Sequence, residues 1–242
     1  MSKHEEIAEA LTRDILLGQY RVGERLPSER DLAARFEANR GAVREAMKKL
    51  EQLGIADIQP GGARVVPLNE ASLDVIGYLL ALDEVPDRTL VDQILLVINV
   101  LVQTAALSAV QRLDDAELNT LRSLIQPLLA DGLDDAARQE AGLTMFHGVM
   151  SASGNLPVQL IAKSLLEQFK PQMEPLRDYM EPDLETHRRL ACQIDEALAD
   201  RDLNAIRVGY DAMSSHIRHE IARAFDAFEA VRQPVRMEAS AS

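Results

Sequence analysis

Tryptophan is absent from this chain, and only 4% of its residues are aromatic. Its cores must therefore be built from Leu, Ile, Val, Ala and Met, a profile that suits helices. A single cysteine, Cys192, excludes an internal disulfide framework and reads as a structural thiol, since no nucleophile motif surrounds it. The longest apolar run, Ile94–Val102, is broken by Asn99 and falls short of a membrane span. The opening residues, Met1-Ser2-Lys3-His4-Glu5-Glu6, are polar and acidic, unlike a signal peptide. A soluble, cytoplasmic protein without a membrane partner is expected. Strand-like alternation is missing beyond residue 67, and no repeat period is visible. Also missing are HExxH, a Glu-x-x-His pair, a Gly-rich phosphate loop and a Gly-x-Ser-x-Gly turn. The expectation is that the chain is not an enzyme. A metal-dependent enzyme on a helical bundle is the alternative.

What is present is concentrated in residues 27–66. Ser28, with Asp31 three residues on, marks a helix start, and Leu32, Ala33 and Phe36 supply its apolar positions. Asn39 caps a second helix whose apolar face is Val43, Ala46, Met47, Leu50 and Leu53. Arg40, Arg44 and Lys48 recur every four residues on another face. Gly54 ends this helix, and short strands at Ile55–Gln59 and Arg64–Pro67 flank a Pro60-Gly61-Gly62 tip. The pattern predicts a winged helix-turn-helix, which lays one helix in the major groove with the hairpin tip beside it.

The run Leu26-Pro27-Ser28-Glu29-Arg30, Leu32-Ala33, Phe36, Arg40, Val43-Arg44-Glu45-Ala46, Leu50 and Gly54 resembles the N-terminal domain of the GntR family of bacterial transcription regulators. The resemblance implies DNA contacts by Arg30, Arg40, Arg44 and the wing glycines Gly61 and Gly62. Asn39, Gly41 and Lys48 complete the expected DNA-facing set. Glu37-Ala38-Asn39 departs from the family's frequent Gly-Val-Ser or Gly-Val-Thr turn, and Gly41 and Ala42 replace residues that carry hydroxyls in some members.

The formal net charge is −13. Residues 1–68 hold equal numbers of basic and acidic groups, so the remainder carries the whole excess. Charge is screened over about 8–10 Å, and a locally basic face can therefore bind phosphate while an acidic body discourages non-specific association. The expected fold is mainly α. A winged helix-turn-helix domain covers 1–68, a hinge 69–71, an all-helical effector-binding and dimerisation domain 72–230, and a flexible tail 231–242. Within the first domain, a helix is expected over 4–17. Helices beyond the hinge are expected over 72–82, 88–110, 114–130, 133–152, 156–178, 183–199 and 202–230, with Gly132 in one of the breaks.

A winged helix followed by six or seven helices resembles the FadR-type branch of the same family. That resemblance implies a homodimer on a palindromic double-stranded operator, with an effector held in the helical domain. In many members an Asp and three His residues bind a divalent metal, which takes a metabolite carboxylate. Matching positions here are His147, His187 and His216, but Leu143 stands where the Asp is expected. Zn or Ni would suit three imidazoles with open positions. Carboxylate-sensing relatives also turn an Arg, and often a Glu, into the cavity from the helix that here carries Ile98 and Val102. The apolar replacements favour a long hydrocarbon, since burial gains about 0.8 kcal/mol per CH₂. Three readings of the histidines follow: a metal site, hydrogen-bonding wall groups of an acyl-type pocket, or structural residues around no ligand. The expected effector pocket is Ile98, Val102, Leu143, His147, His187 and His216. Its ligand is either a fatty-acyl-type molecule such as a fatty-acyl-CoA or a small metal-bound carboxylate. Arg188 and Arg189 could meet an anionic head group at its mouth, or form a solvated helix face.

Overall fold

The computed structural model describes residues 2–130 and 135–239, with side chains through Arg232 apart from that of Asp135. The chain divides into two compact units, Met1–Asp87 and Arg88–Ser242.

In the first unit, α1 (Lys3–Leu16), α2 (Glu29–Arg35) and α3 (Arg40–Gln52) precede an antiparallel hairpin of β1 (Ala56–Gln59) and β2 (Gly62–Val65). Arg25 pairs with Arg64 in an isolated bridge, adding a third extended position to the hairpin. Ile7, Leu11, Leu32, Val43, Leu50 and Ile55 are fully buried and form the core of this unit. Ser28 Oγ accepts from Asp31 N at 3.3 Å and donates to Asp31 Oδ2 at 2.6 Å, so the side-chain pair replaces a reciprocal capping box. The turn between α2 and α3 holds Glu37 at φ 49°, in the left-handed region. A glycine would adopt that conformation without the Cβ cost that Glu37 bears.

The unit boundary differs from the expected one. Residues Leu68–Glu70 form a 3-10 turn and α4 is Val75–Leu80. Val75 is buried in the first unit's core, with Ala71, Tyr78 and Leu79 packed beside it. The expected hinge and the expected first helix of the second domain therefore belong to the first unit, drawn there by the apolar side chains of 71–79.

The second unit contains α5 (Arg88–Arg112), α6 (Asp115–Ser123), α7 (Gln126–Leu129), α8 (Asp135–Ala152), α9 (Leu156–Phe169), a 3-10 segment Lys170–Tyr179, α10 (Leu184–Ala199) and α11 (Leu203–Ala239). The helix expected over 156–178 stops at Phe169 because Pro171 and Pro175 lack the N–H that an α-helical ladder requires. Pro127 stands in the first turn of α7, where the expected single helix 114–130 is divided. The expected break at Gly132 lies outside the described residues. Helix α11 runs to Ala239, so it enters the segment 231–242 expected to be a tail. Its residues 231–239 include the good helix formers Arg, Gln, Met, Glu and Ala, and the helix continues there despite Pro234. Residues 240–242 lie outside the described ones.

Among the described residues one helix, α5, is long and apolar enough to cross a membrane, a longer stretch than Ile94–Val102 alone. Here it packs against α8, α9 and α11, as the central helix of a bundle does. Ala105, Ala106, Ala109, Leu198 and Ile206 are fully buried at the heart of this core.

Candidate DNA interface and effector cavity

Helix α3 buries Val43, Ala46, Met47 and Leu50 and thereby turns Arg40, Gly41, Arg44 and Lys48 to solvent. Asn39 Oδ1 accepts from Ala42 N at 2.8 Å, so its carbonyl is committed to capping and only its amide remains for a ligand. A Cβ at Gly41 would sit 3.1 Å from that same oxygen. Arg44 donates from Nε to both Glu29 oxygens, at 3.0 and 2.9 Å, and the carboxylate raises its pKa. Glu29 holds one edge of the guanidinium and so orients the fork. Lys48 pairs with Glu45 at 2.8 Å, and Arg30 is 80% exposed, 3.6 Å from Asp31.

The wing tip turns on Gly61 (φ 112°) and Gly62 (φ 129°), both in backbone regions that L side chains avoid. A Cβ on Gly62 would meet Arg25 Nε at 2.5 Å. The Arg25 guanidinium therefore lies against the wing, and Arg64 Nη1 donates to Gly23 O at 2.8 Å. Both arginines were missed in the sequence because neither lies on the recognition helix. The signal was the extended position before Leu26-Pro27, which pairs Arg25 with Arg64. Exposed guanidinium groups, a helix N-terminus and a glycine tip on one small unit can neutralise phosphates and read base edges. Arg44→Ala is expected to weaken operator binding by about 1–3 kcal/mol if the fork reads a guanine. A gel-shift titration at fixed salt measures this, and unchanged affinity would remove Arg44 from the interface.

In the second unit a cavity of about 220 Å³ opens between α5, α7, α8, α10 and α11. Its walls are apolar, with Ile98, Val102, Met145, Phe146, Val149 and Met213 among them. Polar wall residues are Asn99, His187, Tyr210 and Ser214, and no Asp, Glu, Lys or Arg is among the described lining residues. Asn99 Nδ2 is already used, donating to Asp211 Oδ1 at 2.8 Å. Burial lowers the pKa of His187, and the nearby charge of Arg138 adds to the effect. The imidazole is therefore neutral at pH 7.

Of the expected pocket residues, Ile98, Val102 and His187 line this cavity, whereas Leu143, His147 and His216 do not. The reason is helical rotation of about 100° per residue. On α8 the cavity face is Gly142, Met145, Phe146 and Val149, which turns His147 to solvent. On α11 the face is Tyr210, Met213, Ser214 and Ile217. His216 instead meets His187, with ring centroids 6.1 Å apart, and its Nε2 lies 3.2 Å from Glu220 Oε1. Glu220 also accepts from Asp183 N at 2.6 Å. No group of three His, Cys, Asp or Glu among the described residues is placed to hold a metal ion. With Leu143 in place of a carboxylate and His147 exposed, the expected ligand set does not fit a Zn or Ni site. Arg188 and Arg189 border a separate depression with Glu185, Cys192 and Glu196, away from the cavity walls.

Residues 3–66 match the family described as bacterial regulatory proteins, gntR family. The chain is 29% identical over 189 residues to the HTH-type transcriptional regulator Mce2R of Mycobacterium tuberculosis (strain CDC 1551 / Oshkosh), covering 73% of this chain and 74% of that one. It is 25% identical over 166 residues to the galactonate operon transcriptional repressor of Escherichia coli (strain K12), covering 67% and 72%. A solved structure of Lar, which controls the expression of the Listeria monocytogenes agr system, superposes with TM-score 0.54 at 19% identity, covering 92% of this chain and 98% of that chain. That likeness shows the fold alone.

Proposed function

We infer that this chain, whose residues 3–66 match the gntR family of bacterial regulatory proteins, represses transcription until an apolar metabolite enters its helical unit. It is a DNA-binding transcription regulator and not an enzyme, as its relatives are. Regulators of this family bind DNA operators and typically act as dimers, in the cytoplasm where the DNA is. Repression is favoured by the galactonate operon repressor among the relatives. The helical unit is read as an effector domain of the FadR type.

One observation carries the effector assignment: a cavity whose described lining is apolar and without a formal charge. A carboxylate placed inside would lose its hydration without an Arg, a Lys or a metal to replace it. Of the two expected effectors, the fatty-acyl-type molecule therefore suits the walls and the small metal-bound carboxylate does not. Coupling to DNA requires only that the effector prefer one arrangement of the paired chains, typically by about 1–3 kcal/mol.

Gly142 supplies the test. It lines the cavity, and a Cβ there would meet nothing within 4 Å. Gly142→Phe should fill the space, leave operator affinity within about twofold, and abolish the release of DNA caused by dodecanoyl-CoA in the parent protein. Fluorescence anisotropy of a labelled operator reads both effects. A variant that still responds to the acyl probe as the parent does would overturn the cavity as the effector site.

A further inference from the structure

The tip of the wing has no cation of its own. From Asp57 to Ala63 the hairpin holds no Lys or Arg and carries only the charge of Asp57. Arg64 follows in β2, but its Nη1 donates back to Gly23 O at 2.8 Å. A hairpin entering a groove walled by phosphates draws no affinity from their charge unless it brings a cation. The fold brings one from outside the hairpin. Residues 23–26 run extended beside β2: Gly23 N donates to Val65 O at 2.8 Å, Val65 N to Glu24 O at 3.0 Å and Leu26 N to Ala63 O at 2.9 Å. Alternation along that segment buries Leu26 and leaves Arg25 exposed on the outer face, opposite Arg64. From there the Arg25 guanidinium reaches the tip, where a Cβ on Gly62 would lie 2.5 Å from Nε, 2.9 Å from Nη2 and 3.1 Å from Cζ. Arg35 and Arg44 are held by Asp14 and Glu29, whereas the Arg25 side chain has no acceptor among the described residues.

We propose that Arg25 is a DNA-binding residue of the wing, its guanidinium donating to a backbone phosphate at the rim of the groove that the tip enters. The Pro60-Gly61 turn lies ahead of it, so Arg25 suits the rim, where phosphates lie, rather than the floor, where base edges are. Gly62 then has a second task beyond turning the hairpin: its missing side chain leaves the space that the guanidinium occupies. The inference rests on the first unit being the one that binds DNA, and the experiment separates the two.

The full chain and its Arg25→Gln and Arg25→Lys variants are titrated by fluorescence anisotropy over a range of salt concentrations. Two labelled duplexes serve as probes, one of mixed sequence and one of the sequence that the full chain selects from a random pool. Arg25→Gln is expected to weaken binding to both duplexes by the same factor, about tenfold per bound chain at low salt. The slope of log affinity against log salt should fall by about one per bound chain, the mark of one lost phosphate contact. Arg25→Lys should keep the parent slope, because the charge remains although the planar fork over Gly62 is gone. If Arg25 only packs the wing, the slope stays at the parent value in Arg25→Gln and lysine restores nothing; that result would overturn the assignment. A loss confined to the selected duplex would overturn the phosphate contact in favour of base reading. Failure of the parent to bind either duplex would overturn the DNA interface as a whole, and Arg25 with it.

Discussion

Val100→Asp is expected to convert the protein to a monomer and to weaken operator binding by about two to four orders of magnitude. Helix α5 is apolar on nearly every face, and only part of it is covered within the chain. Between its charged ends, over residues 90–110, the exposed positions are Gln93, Leu96, Val97, Val100 and Thr104, which carry no formal charge. Leu96, Val97 and Val100 are 42%, 48% and 62% exposed, a stripe that runs along one side of the helix. A second copy of the chain, presenting the same stripe across a two-fold axis, would bury it. Each aliphatic side chain so buried contributes about 1.5–3 kcal/mol, and an aspartate at the centre would be desolvated without a partner. The fold itself should tolerate the change, because Val100 is the most exposed of the three. Loss of pairing turns two linked half-site contacts into one. Linkage raises avidity by roughly 10²–10⁴, which sets the size of the expected loss. Light scattering reads the mass and anisotropy the affinity. A Val100→Asp protein that remains dimeric with parent affinity would place the interface elsewhere.

Asp195→Ala should cost the helical unit about 3 kcal/mol. Arg122 on α6 donates to Asp195 on α10 through Nε at 2.8 Å and Nη2 at 2.9 Å, a two-point pair. The hydrogen bonds that Arg122 donates to Asp195 raise its pKa against the effect of its burial. The side chains are 26% and 12% exposed, so truncation leaves a largely buried guanidinium facing no carboxylate. Breaking a fully buried pair costs about 3–5 kcal/mol, and the partial exposure of Arg122 places this case at the lower end. At about 2–4 °C per kcal/mol for a unit of this size, the melting point should fall by about 6–12 °C. Replacing both partners, as Arg122→Met with Asp195→Leu, should recover most of the loss, since no charge is then stranded. A loss under about 1 kcal/mol for Asp195→Ala would show that solvent reaches the pair.

The winged helix was legible because its signals are local. Ser28 and Asn39 cap their helices, Val43 to Leu50 face inward at helical spacing, and Gly61-Gly62 turn the hairpin. Each depends on neighbours within a few residues. The cavity was legible only in part, because membership of its wall depends on the phase of whole helices. Ile98 and Val102 were found since α5 is apolar nearly all round. On α8, by contrast, one residue separates cavity-facing Phe146 from exposed His147, and position along the chain does not decide between them. Docking of Val75 onto the first unit is a long-range event with no local mark. The stop after Phe169 is marked locally by Pro171 and Pro175, which the span expected over 156–178 runs through. Glu37 carries the reverse lesson. The departure from a family glycine fell on the left-handed residue of the turn, and the fold kept the turn nonetheless.

Selection of bound sequences from a random duplex library by the full-length protein tests the central claim most directly. Enrichment of one inverted repeat, bound by two chains and released by an apolar ligand, is the predicted result. Recovery of no common sequence at physiological salt would contradict the assignment of this chain as an operator-binding regulator.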